Sequence, residues 1–113
     1  MTFFRAQLDR EHNIILVAET EGHVEGFVIA SVISTPPVYD PGGPVCMADD
    51  FMVSAPELWQ TVGQALLKEV TAQAKTRNAV LSVVVCGHLD EAMRSMLRES
   101  GSTLASEWYV HPL

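Results

Sequence analysis

The sequence contains 113 residues, of which 48 % are hydrophobic and 19 % are charged, and this composition predicts one globular domain over residues 1–113 rather than a disordered chain. No apolar run approaches the roughly 20 residues of a membrane-spanning helix, and the first residues lack the pattern of a signal peptide. The formal net charge is −7, and the few Lys and Arg residues form no cluster that could hold a nucleic-acid backbone. We therefore expect a cytoplasmic protein with neither nucleic acid nor a membrane as a partner.

Two β-branched runs, residues 14–20 and 24–34, predict an antiparallel hairpin because only a short polar turn separates them. The dozen residues before the hairpin are compatible with the end of a helix or with an edge strand. A loop rich in Pro and Gly, residues 35–44, ends the second strand, since proline cannot donate to a β-ladder. Residues 45–53 then predict a third strand, which two acidic residues interrupt.

Two amphipathic helices are predicted in the second half of the chain. Apolar residues recur at every fourth position from Leu58 to Ala74 and predict a long helix. Residues 79–86 are almost wholly apolar, which favours a central strand covered on both faces and parallel to the third strand. The second helix is predicted by apolar residues at helical spacing, namely Leu89, Ala92, Met93, Met96 and Leu97. It ends at Gly101, and residues 103–113 predict a last strand.

The order of these elements predicts the fold class. A strand, a helix and a second strand parallel to the first form a βαβ unit, and the hairpin adds antiparallel strands to it. We therefore expect a three-layer α+β fold with a mixed, mostly antiparallel sheet and one parallel crossover, in the order β-β-β-α-β-α-β.

Two capping boxes compete for the start of the long helix. Residues 54–57 fit the pattern S-x-x-E, and residues 61–64 fit T-x-x-Q. With the second start, residues 54–60 form a loop and the amides of residues 61–65 can face one anion. Gly63 then lies in the first turn, where it either lets a phosphate approach the backbone or lets the helix pack closely on the sheet. The sequence leaves both interpretations open.

The acidic residues and the cysteines are candidate binding residues. Residues 1–50 hold eight acids and two bases, and this excess serves either solubility or the attraction of a cationic amine. Cys46 and Cys86 lie in apolar runs and are expected to be reduced thiols. A metal site would combine them with Asp49 and His88, and because this spacing matches no known ligand pattern we expect no metal.

From residue 14 to residue 113 the chain resembles the GNAT (Gcn5-related N-acetyltransferase) family, in a short form with a truncated N-terminal segment. The resemblance includes the hairpin ILVAETEGHVEGFVIA, the strand DDFMV followed by SAPELWQTVGQALL, the apolar strand and the helix ending at Gly101. The family's phosphate-binding pattern Q/R-x-x-G-x-G/A is matched by QTVGQA, residues 60–65. Anchoring on Val53 instead shifts the pattern by two residues and puts Leu58 at its first position. Both registers place the same backbone against the ligand.

The resemblance implies a site for acetyl-CoA or another acyl-CoA. The loop and helix start would bind its phosphates, the end of the third strand would pair with its pantetheine arm, and the polar residue after the apolar strand would touch CoA. The implied cofactor-binding residues are Phe51, Met52, Val53, Gln60, Thr61, Val62, Gly63, Gln64, Ala65 and His88.

The catalytic residues are less sharply defined by the sequence. An amine must lose a proton, and Asp50 or Asp49 could take it, with Asp50 slightly favoured because it lies nearer the strand end. Side chains alternate along a strand, so only one of the two is expected to face the cleft, and both could instead only interrupt the apolar pattern. Many family members have a tyrosine that protonates the leaving thiolate. Here Leu97 takes its place, and Tyr109 is a candidate substitute, although such aromatic residues more often belong to the core.

Three functions are compatible with these residues. The first is an acyl-CoA-dependent N-acyltransferase that acts on an amine of a small molecule or of a protein. The second is a non-catalytic CoA-binding or dimerisation module on the same scaffold, and the third is a structural α+β domain that binds no nucleotide. Open sheet edges left by the short N-terminal segment predict a homodimer.

Overall fold

The computed structural model describes residues 2–5, 12–34 and 41–113 of the chain. Five strands form one sheet in the order β1-β2-β3-β4-β5, in which β4 and β5 are parallel and the other neighbours antiparallel. The strands are β1 (Thr2–Arg5), β2 (Asn13–Thr20), β3 (His23–Ile33), β4 (Val45–Val53) and β5 (Leu81–Val84). The helices are α1 (Val62–Thr76) and α2 (Glu91–Glu99), and a 3₁₀ helix (Pro56–Gln60) precedes α1. The predicted mixed α+β fold with one parallel crossover is confirmed.

The N-terminal hairpin forms as predicted. β2 and β3 are joined by Glu21 and Gly22, whose φ angles of 51° and 82° are those of a two-residue turn suited to a twisted hairpin. β1 pairs with β2, so the first residues form an edge strand rather than the end of a helix. Most of the predicted Pro- and Gly-rich loop lies outside the described residues.

The start of α1 follows the second of the two predicted boxes. α1 begins at Val62, directly after Thr61, and Gly63 lies in its first turn. The segment before it differs from the prediction, because residues 56–60 form a 3₁₀ helix rather than a loop. Pro56 starts this helix at a position where its missing N–H costs nothing.

The core lies between one face of the sheet and the helices. Leu66 and Val70 of α1 are buried against Ile14, Leu16 and Val28 of the hairpin. A Cβ atom on Gly26 would lie 2.9 Å from the backbone oxygen of Met52 and 3.1 Å from the side chains of Val62 and Leu66. The absence of a side chain at residue 26 therefore lets the start of α1 approach the sheet.

β5 is an edge strand of the described sheet and is not covered on both faces, so the prediction of a central, fully covered strand is wrong. Leu81 is 49 % exposed, and Val80 and Val85 on either side of the strand are more than half exposed. The physical reason is that α2 packs mainly against the 3₁₀ helix and that no described segment pairs with the outer edge of β5.

α2 forms as predicted, with Met93, Met96 and Leu97 buried, but Leu89 lies before the helix and is 90 % exposed. Its C-terminus is capped by Gly101, which has a φ of 93°. The N–H of Ser102 donates to the carbonyl of Leu97 at 3.0 Å, which is the long bond of a Schellman cap.

The predicted last strand is absent, because residues 102–113 form no β-ladder in the structure. Every residue of this segment is exposed. A strand needs a hydrogen-bonded neighbour, and this segment leaves α2 without meeting the sheet. None of the helices among the described residues is long and apolar enough to cross a membrane.

Candidate functional site

A β-bulge lies at the acidic pair of β4. Ala30 of β3 pairs with Ala48, and the preceding residue Ile29 pairs with Asp50, which leaves Asp49 as an extra residue on β4. Asp49 and Asp50 are both exposed, and among the described residues neither side chain has a hydrogen-bond or ion-pair partner. The bulge interrupts the regular alternation of side chains, so the argument that only one of the two faces the cleft does not hold here.

β4 and β5 form a fork directly beyond the bulge. The parallel pairing runs from Val45 opposite Leu81 to Ala48 opposite Val84, and one more bond joins the N–H of Val85 to the carbonyl of Ala48 at 3.1 Å. β4 then continues for five residues, 49–53, beside β3 alone. At about 3.3 Å per residue this leaves an open strand edge of about 16 Å.

The direction of the backbone groups along this open edge follows from one hydrogen bond. The N–H of Ser54 donates to the carbonyl of Glu25 at 2.9 Å, so Ser54 faces β3. Backbone groups alternate between the two edges of a strand, so those of Met52 also face β3, whereas those of Phe51 and Val53 face the open side. Of the three predicted strand residues, Phe51 and Val53 can therefore offer backbone hydrogen bonds to a ligand.

The first turn of α1 contains unpaired amides. The N–H of Thr61 donates to the carbonyl of Leu58 at 3.2 Å, and the N–H of Ala65 donates to the carbonyl of Thr61 at 3.1 Å. No acceptor among the described residues meets the N–H groups of Val62, Gly63 and Gln64. Of the five predicted amides, three are thus free to bind an anion at the positive end of the helix dipole.

Among the described residues, no side chain caps the start of α1. Thr61 is in the N-cap position but makes no side-chain cap, because its hydroxyl donates to the carbonyl of Leu58 at 3.4 Å. The side-chain amide of Gln64 donates to the exposed Gln60 at 3.4 Å. The free amides of an uncapped helix start are satisfied either by water or by a ligand.

Gly63 is buried against an aromatic ring. A Cβ atom at this position would lie 2.6 Å from Cε3 of Trp59. The Trp59 ring in turn packs edge-on against Phe51, with ring centroids 5.0 Å apart. The structure therefore supports the close-packing interpretation of Gly63, with the Trp59 ring as the neighbour. The backbone N–H of Gly63 stays free at the same time.

The other predicted binding residue, His88, lies on the exposed loop between β5 and α2. Its carbonyl accepts a hydrogen bond from Nη1 of Arg94 at 3.1 Å, which holds the loop against α2. Arg98 donates to Glu91 at 2.6 Å, and this bond holds the pKa of the Glu91 carboxyl below its usual range. The arginines of α2 are thus engaged within the helix and its loop.

Leu97 and Tyr109 are the two residues that bear on the predicted acid. Leu97, at the position of the family's tyrosine, is buried in the core. Tyr109 lies on the segment after α2, 88 % exposed, and donates to Glu107 at 2.5 Å. This hydrogen bond raises the pKa of the Tyr109 hydroxyl. The described residues contain no group of three or more His, Cys, Asp or Glu side chains that could hold a metal ion.

The two cysteines are expected to react with iodoacetamide slowly at neutral pH. Burial raises the pKa of both thiols, and the nearby Asp90 carboxylate raises that of Cys86 further, so less reactive thiolate is present at a given pH. Half-buried Cys86 should be modified before fully buried Cys46, with a rate that rises from about pH 7 to about pH 9.5. Mass spectrometry of the intact chain gives both rates, and faster modification at pH 7 than of an unstructured cysteine peptide would contradict the expectation.

Comparisons with known proteins bear on this geometry. No protein-family model matches the sequence, and no match was found among curated proteins. Solved structures do match. AAC(6')-Iy in complex with the bisubstrate analogue CoA-S-monomethyl-acetylneamine has a TM-score of 0.75 and 15 % identity over 92 % of this chain and 71 % of its own. The ribosomal-protein-alanine N-acetyltransferase of Brucella melitensis biovar Abortus 2308 has a TM-score of 0.71 and 20 % identity over 94 % of this chain and 75 % of its own.

A third similar structure points to the same architecture. The aminoglycoside acetyltransferase meta-AAC0020 from an uncultured soil metagenomic sample has a TM-score of 0.72 and 20 % identity over 94 % of this chain and 67 % of its own. The chain has the GNAT fold. In this fold the β4–β5 fork and the start of α1 are the elements that the resemblance associates with acyl-CoA, and both are open in this chain.

Proposed function

We propose that the protein is an acyl-CoA-dependent N-acyltransferase that uses acetyl-CoA or another acyl-CoA. The observation that carries the proposal is the set of three unpaired amides at the start of α1, which the 3₁₀ helix connects to the unpaired end of β4. The solved structure of AAC(6')-Iy in complex with CoA, which shares the fold, supports this assignment.

The start of α1 and the unpaired end of β4 suit different parts of one acyl-CoA molecule. The free N–H groups of Val62, Gly63 and Gln64 suit the pyrophosphate, because this part of the chain must bind an anion without a cation of its own. The outward backbone groups of Phe51 and Val53 suit the amides of an extended pantetheine arm, which would add to the sheet as a strand does. One of these N–H groups can also polarise the thioester carbonyl.

The acceptor is proposed to be an amine. Asp49 and Asp50 are exposed carboxylates at the fork, and they can attract a protonated amine and accept its proton directly or through water. The neutral amine then attacks the thioester carbonyl carbon, and its nitrogen releases a second proton to water. The C–S bond breaks, the amide forms, and the sulfur leaves with the bonding electrons. A thiol ionises near pH 8.5, so the thiolate can leave without an obligatory acid, which fits the buried Leu97.

Binding of acetyl-CoA, measured by titration calorimetry, tests the proposal with the variant Gln64→Glu. A glutamate at residue 64 puts a negative charge in the first turn of α1, where it interacts favourably with the helix dipole, so the variant keeps its fold. The same charge lies beside the free amides and repels phosphate. We expect acetyl-CoA affinity to fall at least about tenfold, equivalent to about 1.4 kcal/mol, while the melting temperature stays equal or rises.

Gln64→Ala is the matched control, because it removes the same side chain without adding a charge, and its affinity should stay near that of the wild type. Absence of binding at millimolar acetyl-CoA by the wild-type protein would overturn the proposal. Binding without release of free CoA above blank hydrolysis, across a broad panel of amines, would favour the non-catalytic CoA-binding module instead. The exposed Tyr109 and the buried Leu97 are the observations that favour this second function.

We also propose that the protein acts as a homodimer. The exposed apolar residues Val80, Leu81 and Val85 along an unpaired sheet edge support association, since large exposed apolar patches mark contact surfaces.

A further inference from the structure

The face of the sheet that is turned away from α1 is here called the outer face, and it carries one carboxylate of the fork. Along β3, Val28 and Ala30 are buried in the core with α1, so Ile29 between them points to the outer face. Residues that pair across antiparallel strands share a face. Asp50 pairs with Ile29 and therefore also lies on the outer face.

Five apolar side chains lie beside Asp50 on the outer face. The registers of β2 with β3 and of β3 with β4 put them in two rows across the three strands, and one row ends at Asp50. Neighbouring strands lie about 4.8 Å apart and residues rise by about 3.3 Å along a strand, so the two rows cover about 10 Å by 7 Å. The five residues, here called the outer patch, are Ile15, Val17, Phe27, Ile29 and Met52.

The outer patch is open to a ligand. Met52 is 59 % exposed and Ile29 is 37 % exposed, and the other three side chains are half-buried. Exposed apolar side chains gathered beside polar groups mark contact or ligand-binding surfaces. The flexible thioether of Met52 can adapt to ligands of different shape. The outer patch can therefore cover the apolar part of a molecule whose charged end lies at Asp50.

Polar residues border the outer patch on two sides. On one side the hydroxyl of Ser31 donates to Oδ1 of Asn13 at 3.1 Å, so these two side chains satisfy each other. On the side of the hairpin turn the next pair is Glu19 with Val24, about 13 Å along the strands from the row of Asp50.

The side chains of the outer patch are hydrocarbons and one thioether, which offer a ligand no strong hydrogen bond. A polyhydroxylated amine would lose its hydration there without compensation, because a polar group removed from water needs a new partner. An apolar group, in contrast, gains free energy when it leaves water. The chemistry of the patch thus favours an acceptor with an apolar body.

We propose that the acceptor is a primary amine with an apolar body, bound with its ammonium group at Asp50 and its body on the outer patch. This inference rests on the proposed function, in which the acyl donor occupies the fork next to Asp50. Ile29 and Met52 act as specificity-determining residues, since they contact the body of the acceptor and take no part in proton transfer. The net charge of −7 adds a general attraction for a cation.

A series of straight-chain primary amines, from methylamine to hexylamine, tests the acceptor class. The members have nearly the same basicity, so differences in kcat/KM report contacts of the carbon chain rather than the reactivity of the nitrogen. We expect kcat/KM of the wild type to rise about two- to fourfold for each added methylene, as partial to full burial of a CH₂ group implies.

Ile29→Thr keeps a β-branched side chain in the strand and puts a hydroxyl group into the outer patch. In this variant the ratio of kcat/KM for hexylamine to kcat/KM for methylamine should fall at least about threefold, mainly through a higher KM for hexylamine. Ile33→Thr is the matched control, because it makes the same substitution on the same strand and face, at a residue that is 44 % exposed and lies beyond Ser31. Its ratio should equal that of the wild type.

The possible outcomes separate this inference from the proposed function. Acyl transfer with the same kcat/KM along the series, or a faster reaction with an amino sugar than with hexylamine, would overturn the acceptor class and leave the acyltransferase standing. Equal ratios in Ile29→Thr and the wild type would overturn it too, as would equal falls in Ile29→Thr and Ile33→Thr. A wild-type protein that binds acetyl-CoA in the calorimeter but acylates no amine of the series would overturn both the acyltransferase and its acceptor.

Discussion

Replacing Trp59 with alanine is expected to lower the free energy of unfolding by about 3–5 kcal/mol, because the ring is 5 % exposed and fills the space between the 3₁₀ helix, β4 and α1. The truncation removes the edge-on contact with Phe51 and leaves a cavity behind the first turn of α1. Domains of this size are stabilised by only about 5–15 kcal/mol, so a loss of this size brings the chain close to unfolding.

Urea denaturation followed by far-UV circular dichroism gives this free energy without relying on the tryptophan that is removed. Leu89→Ala is the control, since it also shortens an apolar side chain but at a residue that is 90 % exposed. Its free energy of unfolding should stay within about 0.5 kcal/mol of the wild type. Equal losses in the two variants would mean that Trp59 does not fill the core as described.

Replacing Gly63 with alanine is expected to lower the free energy of unfolding by about 1–3 kcal/mol, since the new methyl would lie 2.6 Å from Cε3 of a buried ring. A helix-interior alanine is otherwise favoured over glycine by about 1 kcal/mol. A loss of stability therefore indicates steric overlap with the ring, whereas a gain indicates helix propensity alone. Gly87→Ala is the matched control. Its Cβ would meet nothing closer than the Cβ of Asp90 at 3.9 Å, and its stability should be unchanged or slightly higher.

The cause can be isolated with the double variant. In a chain that already carries Trp59→Ala the ring is gone, so Gly63→Ala should no longer destabilise and should approach the helix-favouring value. The coupling between the two substitutions then equals the cost of the overlap. If Gly63→Ala costs the same in both backgrounds, the glycine is needed for a reason other than Trp59.

The local patterns of the sequence predict most of the elements. The third strand was predicted at residues 45–53, the bounds that β4 has. The hairpin and the cap at Gly101 also follow from short stretches whose turn and capping chemistry is self-contained. The helix start after Thr61 was one of two competing predictions, and Thr61 makes no side-chain cap there. Features that depend on which elements meet in space were not predictable in this way. The apolar run at β5 indicates that something covers the strand, but not whether the cover belongs to the same molecule.

The candidate site was predictable as a region and not as a set of contacts. The resemblance placed residues 51–53 and 60–65 in the site, and the free amides and the open strand edge do lie there. Two of the five amides, those of Thr61 and Ala65, have acceptors within the turn, and Met52 faces β3. The sequence carried no signal for the bulge beyond the acidic pair itself, because one extra residue is visible only against the register of the partner strand.

The bulge at Asp49 also changes which residues of β4, even-numbered or odd-numbered, face the core. Before it, the even-numbered Cys46 and Ala48 are buried, and after it the odd-numbered Phe51 is buried. If Asp49 took a place in a regular ladder instead of bulging out, Met52 would face the core and Phe51 solvent, because a slip of one position exchanges the two faces of a strand. The bulge thus absorbs the extra aspartate and keeps Phe51 on the face where it meets Trp59.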